Sequence, residues 1–194
     1  MHPQFDQAWF GRLLAARAVA PPVPAGDVLQ AVPAAPAGAD TVERAQDWGE
    51  APDVLGFVGR AEELALMQTW VLEEQCRLVA VLGMGGIGKT SLTARLAEEV
   101  ASSFARVYWR SLRDATPISD WLAGAIGFLS DQQRVPPPAE SERIAAVLQL
   151  LRERRCLLAR DNAETLFEPG QREGRYRPGM AGYGRLLQEL NHVA

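Results

Sequence analysis

The sequence is poor in the residues that build metal and redox sites. It has two cysteines and two histidines in 194 residues. Cys76 and Cys156 lie far apart and His2 and His192 stand at opposite ends, so no zinc-like spacing arises. Both thiols are expected to be reduced and buried, acting as small hydrophobes. Long apolar runs are also absent: none approaches the roughly 20 residues a membrane-crossing helix needs. The N-terminus lacks the basic start and long apolar stretch of a secretory leader, so a cytosolic placement is the default expectation. Positive charge is not in excess either. A net charge of −4 excludes the footprint of a general nucleic-acid or polyanion binder. No repeat is visible. What is present, 47% hydrophobic and 23% charged residues, is the balance of an ordinary globular chain with room for one core domain and a tail.

The most informative stretch is Gly83-Met84-Gly85-Gly86-Ile87-Gly88-Lys89-Thr90. It follows the apolar run Leu78–Leu82 and opens onto a helical pattern that begins at Ser91. Strand, glycine-rich turn and helix with Lys-Thr at its start is the context of a phosphate-binding loop. Glycines let the backbone fold tightly and turn successive N–H groups inward around an anion. The helix start adds unpaired N–H groups and the positive end of its dipole. Lys89 is placed to reach terminal phosphates, and the Thr90 hydroxyl to ligate Mg²⁺. Gly83, Gly85 and Gly88 also satisfy Gly-x-Gly-x-x-Gly, but the next strand, Arg106–Ser111, lacks the terminal acid that a dinucleotide ribose requires. Mononucleotide binding is the better reading.

Around this loop the chain divides near residue 51. Residues 1–50 are Ala- and Pro-rich and read as an arm or linker, with one short amphipathic segment over Phe5–Val19. Residues 51–194 carry the α/β patterns. Apolar spacing predicts a helix with Leu64, Met67, Trp70 and Val71 on one side, and a helix from Lys89 with Leu92, Leu96 and Val100 inward. A third helix is expected to start at Thr116-Pro117, with a capping hydroxyl and proline in first position. Its core face includes Ile118, Trp121, Ile126 and Leu129. A fourth spans Ser141 to Arg154, and a last amphipathic piece covers Tyr183–Leu190. The Gly- and Arg-rich stretch from Gly170 to Gly184 reads as a solvated connection.

Cys156–Ala159 followed by Arg160-Asp161 is an apolar strand ending in a carboxylate, the Walker B pattern, with Asp161 as the candidate Mg²⁺ ligand. The next residue is Asn162, which is no base at neutral pH, and this leaves Glu164 as the nearest candidate to orient a water. Arg160 is anomalous in a buried strand. It is expected either to pair with Asp161, weakening Mg²⁺-dependent binding, or to extend its stem toward solvent.

Phe57-Val58-Gly59-Arg60, then acids and a helix just before the phosphate-binding strand, resembles the start of the NB-ARC type of STAND ATPases. Asp47-Trp48-Gly49-Glu50-Ala51-Pro52-Asp53 and Val107–Arg113 resemble bacterial members that carry WD repeats. The resemblance implies a three-layer P-loop NTPase core with a parallel sheet, incomplete at its C-terminus, that switches between ADP and ATP with Mg²⁺. It implies adenine held beside Phe57, Val58, Gly59 and Arg60, and phosphates held by the loop through Gly83, Gly85, Gly86, Ile87, Gly88, Lys89, Thr90 and Ser91. Lys89, Asp161 and Glu164 would serve catalysis, and Thr90 and Asp161 the metal. Protein partners or self-assembly, without nucleic acid or membrane, are implied too. Ala61 stands where the family usually has Glu. The family's next strand, inserted between the two catalytic strands and carrying a polar sensor, has no counterpart, so poor independent stability and slow or absent hydrolysis are expected. Two alternatives stand beside this: a degenerate remnant acting only as an interaction module, and a small-molecule kinase, for which no acceptor motif is visible.

Overall fold

In the computed structural model, residues 44–169 and 174–192 are described. The arm up to residue 43, with its amphipathic segment, lies outside them. The described residues fall into two units: 44–167 with 176–192, and 168–169 with 174–175. Of the smaller unit, the described residues make a turn-back in which the Glu168 N–H donates to the Arg175 carbonyl (2.8 Å).

The larger unit holds a parallel sheet of order β1-β2-β3: β1 (Ala45–Asp47), β2 (Arg106–Ser111) and β3 (Cys156–Asp161). Its helices are α1 (Ala61–Gln68), extended by a wider π turn over Thr69–Glu73, α2 (Lys89–Val100), α3 (Ile118–Leu129), α4 (Glu140–Glu153) and α5 (Ala181–His192). Alternation along the strands sends successive side chains to opposite faces. Tyr108 and Leu158 join the buried faces of α3, α4 and α5, with Trp121, Leu122, Ile126, Val147, Tyr183 and Leu186 at the centre. Val107 and Leu157 join Leu64, Met67 and Val71 of the α1 region and Leu92, Leu96 and Val100 of α2. The result is the α/β three-layer arrangement of a P-loop NTPase.

Most inward faces expected from spacing are buried, Trp121 included at 3% exposure, whereas Trp70 is only half-buried against the α1/α2 layer. Four local expectations change. Proline 117 is the N-cap of α3 rather than its first residue, and no side chain caps this end; the Pro117 carbonyl takes the Asp120 and Trp121 N–H groups instead. Cys76 and Cys156 are reduced but only half-buried, and desolvation raises the Cys156 thiol to about 11. Ala45–Asp47, placed in the linker by composition, add the short strand β1. It is fastened by Arg110, which grips the Asp47 carboxylate with two N–H groups and lies 4.0 Å over the Tyr108 ring.

The fourth concerns Leu78–Leu82, expected to be a sheet strand. It is extended in pattern, with Val79 and Val81 packed on the α1/α2 layer and Leu78 and Leu82 exposed at 38% and 56%. Among the described residues it joins no ladder. A strand is stabilised by its neighbours' backbone groups as well as by its own side chains, and β3 pairs with β2 alone.

Candidate functional site at the glycine-rich loop

The loop turns back on itself before α2 begins. Gly88 is the N-cap of α2 in the left-handed region (φ 87°, ψ 23°), and Gly86 is also left-handed (φ 78°). Side chains rarely adopt that region, so glycine at these two positions is a backbone requirement. With no side-chain cap at Gly88, the first N–H groups of α2 have no side-chain acceptor from that residue. The Lys89 ammonium folds over the loop and donates to the Gly83 carbonyl (2.9 Å) and the Met84 carbonyl (3.0 Å). The Thr93 hydroxyl, one turn into α2, donates to the Lys89 carbonyl (2.9 Å).

A cleft of about 390 Å³ lies against this loop. It is lined by Gly85, Gly86, Gly88, Lys89, Thr90, Asp161, Asn162 and Glu164. Thr90 at the start of α2 and Asp161 at the end of β3 meet across it: the Thr90 hydroxyl lies 2.9 Å from Asp161 Oδ1 and 3.0 Å from Oδ2. These residues are 71 apart in sequence. The fold brings together a phosphate-type cradle, an ammonium, a hydroxyl and a carboxylate. Two hard oxygen donors at this separation match a cation such as Mg²⁺, which keeps much of its shell as water and phosphate oxygen. Among the described residues no group of three His, Cys, Asp or Glu stands ready to enclose a metal.

Other sequence-predicted residues stand outside the cleft lining. Gly83 contributes its carbonyl to Lys89, while Ile87 is exposed and Ser91 half-buried in the first turn of α2. Arg60 connects to the loop, since one guanidinium N–H donates to the Ile87 carbonyl (3.2 Å) while another meets Glu63 (3.0 Å). Gly59 and Arg60 are both left-handed (φ 84° and 57°), which turns the chain sharply into α1, and Val58 is 90% exposed beside them. Glu164 lies on the 3-10 turn Ala163–Leu166 and faces the cleft.

Arg160 corrects an expectation. The pleat sends it to the face of β3 opposite Asp161, where its guanidinium lies 4.9 Å from the Trp121 ring centroid. It makes no ion pair with Asp161. Desolvation lowers the Arg160 pKa to about 10, and desolvation likewise raises the Tyr183 phenol to about 12 against the opposing charge of Arg160.

One residue was underrated by sequence. Asn162, read only as a missing base, donates through its amide to Asp161 Oδ2 and to the Ser111 hydroxyl, both at 3.0 Å. The Ser111 N–H in turn reaches Glu50 (3.3 Å), tying the Asp-Trp-Gly-Glu segment to the end of the sheet. An asparagine directly after a strand is a sign of a left-handed turn, which this one makes at φ 55°.

The family described as AAA ATPase domain matches residues 56–193. An uncharacterised WD repeat-containing protein of Nostoc sp. is 49% identical over 152 residues. That alignment covers 73% of this chain and 12% of the relative, so the chain spans about an eighth of that protein's length. No solved structure matches significantly. Among the described residues no helix is long and apolar enough to cross a membrane.

Proposed function

This chain belongs to the AAA ATPase domain family, and from that premise we propose that it binds ATP and ADP with Mg²⁺ as the switch module of an NB-ARC/STAND-type signalling ATPase. The observation that carries this reading is the meeting of Thr90 and Asp161 at 2.9 and 3.0 Å beside the glycine-rich turn. A hydroxyl and a carboxylate drawn from distant parts of the chain share one cleft with a lysine and a helix start.

Each residue has a role in this account. Main-chain N–H groups from Gly85 to Ser91 and the positive end of α2 hold the phosphates. The Lys89 ammonium exchanges the Gly83 and Met84 carbonyls for phosphate oxygens. Thr90 and Asp161 hold Mg²⁺, which when bound neutralises charge on the terminal phosphates. Backbone groups of Val58, Gly59 and Arg60 lie on the side of the loop where Arg60 already touches the Ile87 carbonyl, and they are assigned to the adenine. Hydrolysis by water attack on the γ-phosphate is slow or absent, because Asn162 cannot accept a proton; Glu164, which lines the cleft beside Asp161, is the nearest group left to orient a water. The WD repeats of the Nostoc relative support placing this domain in a longer protein whose other parts sense and signal. Partners are then proteins or further copies of the chain, in a cytoplasmic setting.

The test is titration of labelled ATP and ADP with and without Mg²⁺, with Lys89→Ala as the comparison. Micromolar binding is expected, weakened at least about tenfold in the variant through loss of a charge-assisted contact. Absence of binding at any nucleotide concentration would overturn the reading in favour of a degenerate interaction module.

A further inference from the structure

We propose that Asn162 is a positioning residue that sets the orientation of the Asp161 carboxylate and thereby the Mg²⁺ dependence of nucleotide binding; this rests on the functional reading above. Asparagine has two amide N–H donors, and here each has an acceptor: Asp161 Oδ2 and the Ser111 hydroxyl, both at 3.0 Å. The second acceptor is not incidental. In the parallel register Ser111 lies directly beside Asp161, so the amide spans the ends of two adjacent strands. A carboxylate on a strand end is otherwise free to turn about its side-chain torsions. Bonding one oxygen to an amide anchored on β2 restricts that rotation and keeps the carboxylate facing Thr90.

The backbone of Asn162 is held as firmly as its side chain. The residue sits in the left-handed region (φ 55°, ψ 36°) as the N-cap of the turn Ala163–Leu166. Its carbonyl accepts from the Thr165 N–H (3.1 Å) and the Thr165 hydroxyl (2.9 Å). That one hydroxyl proton is shared with the Leu112 carbonyl, just past β2, so the turn and the strand end are joined through a bifurcated bond. Asparagine is the side chain that tolerates this backbone and also supplies two donors. An aspartate here would tolerate the backbone but bring a second negative charge against Asp161 and lose both donors. The position therefore exchanges a proton acceptor for a clamp on the neighbouring acid, which accounts for an asparagine where an acid would speed hydrolysis.

Groups of this kind, bonded to a metal ligand rather than to the metal, typically change metal affinity by about 10- to 100-fold when removed. The experiment uses Asn162→Gly, which keeps the left-handed backbone available while deleting the amide. Ser111→Ala, which removes the anchor from a residue outside the cleft lining, is the second variant. Binding of labelled ADP is measured across a Mg²⁺ titration, with circular dichroism and thermal midpoints verifying the fold. The expected result is a Mg²⁺ half-saturation point raised by about tenfold in Asn162→Gly and by a smaller factor in Ser111→Ala. The double variant should be no worse than Asn162→Gly alone, because the two act through one bond network. A folded Asn162→Gly with an unaltered Mg²⁺ titration would overturn the clamp while leaving nucleotide binding in place. If the unmodified protein itself fails to bind ADP in the presence of Mg²⁺, the functional reading falls and the clamp with it.

Discussion

The guanidinium of Arg160 rests on the Trp121 ring, away from Asp161 and among Tyr176 and Tyr183. Two opposed effects act on it. Desolvation disfavours the charge, while the faces of aromatic rings recover about 1 kcal/mol of that cost. No carboxylate reaches it among the described residues, and the side chain is only half-buried, so desolvation and ring contact nearly offset. Arg160→Leu should change stability by no more than about 1 kcal/mol in urea unfolding, since apolar replacements of partly desolvated charges are commonly neutral or mildly favourable. It should leave Mg²⁺·nucleotide affinity unaltered, because the side chain is on the other face of the strand. Destabilisation by more than about 1 kcal/mol would mean that the ring contacts outweigh desolvation.

At the scale of elements, β1 is the most lightly held strand. It has three residues, pairs with β2 only, and depends on one side-chain clasp between Asp47 and Arg110. That clasp is only partly exposed, with the Arg110 side chain at 27% and Asp47 at 34%. Asp47→Ala should therefore cost about 1 kcal/mol and act locally. Hydrogen exchange is the suitable measurement: the Ala45 N–H, bonded to the Ala105 carbonyl at 3.1 Å, should lose protection, whereas amides of β3 should not. Equal loss across β2 and β3 would indicate that β1 supports the whole sheet. The neighbouring segment Leu78–Leu82 shows the converse case. It has strand-like alternation and apolar character, yet it forms no ladder with the described strands.

At the scale of the whole larger unit, the sheet carries a hydrophobic layer on each face, and ion pairs fasten the elements around it. The most consequential joins Arg106, whose side chain is 1% exposed, to Asp131 (2.6 Å), with Arg154 also reaching the same carboxylate (3.1 Å). Hydrogen bonding from Arg106 is the main cause that holds the Asp131 carboxyl below its ordinary value of 3.8, with Arg154 adding to it and partial desolvation opposing both. The sign follows. A folded-state pKa below the unfolded one contributes stability that is fully present above 3.8 and is lost as pH falls through the folded value. Asp47, held low mainly by its hydrogen bond from Arg110, contributes in the same acidic window. Asp131→Asn keeps the left-handed backbone (φ 55°) that asparagine also tolerates, but removes the charge facing a buried guanidinium. Because the Asp131 side chain is 37% exposed and solvent screens the pair, it should cost only about 1 kcal/mol at neutral pH and flatten the acid limb of a stability profile. A profile with an unaltered slope below pH 3.8 would assign the acid sensitivity to other carboxylates.

The helices, β2, β3 and the loop were legible in the order of residues because their information is local. Apolar spacing marks the inward faces of α2, α3 and α4, and Gly88-Lys89-Thr90 can hardly be anything but a turn into a helix start. Asp161 was legible as well, through an apolar strand that ends in a carboxylate. What only the tertiary structure decided depends on neighbours far away in sequence. That covers the pairing of Ala45–Asp47 with β2, the failure of Leu78–Leu82 to pair with the described strands and the face on which Arg160 lies. It covers also the bonds of Asn162 to Asp161 and Ser111. Side-chain spacing records which residues turn inward, whereas a hydrogen bond between two strands, or a charge placed on one face of a sheet, exists only once both partners have been brought together.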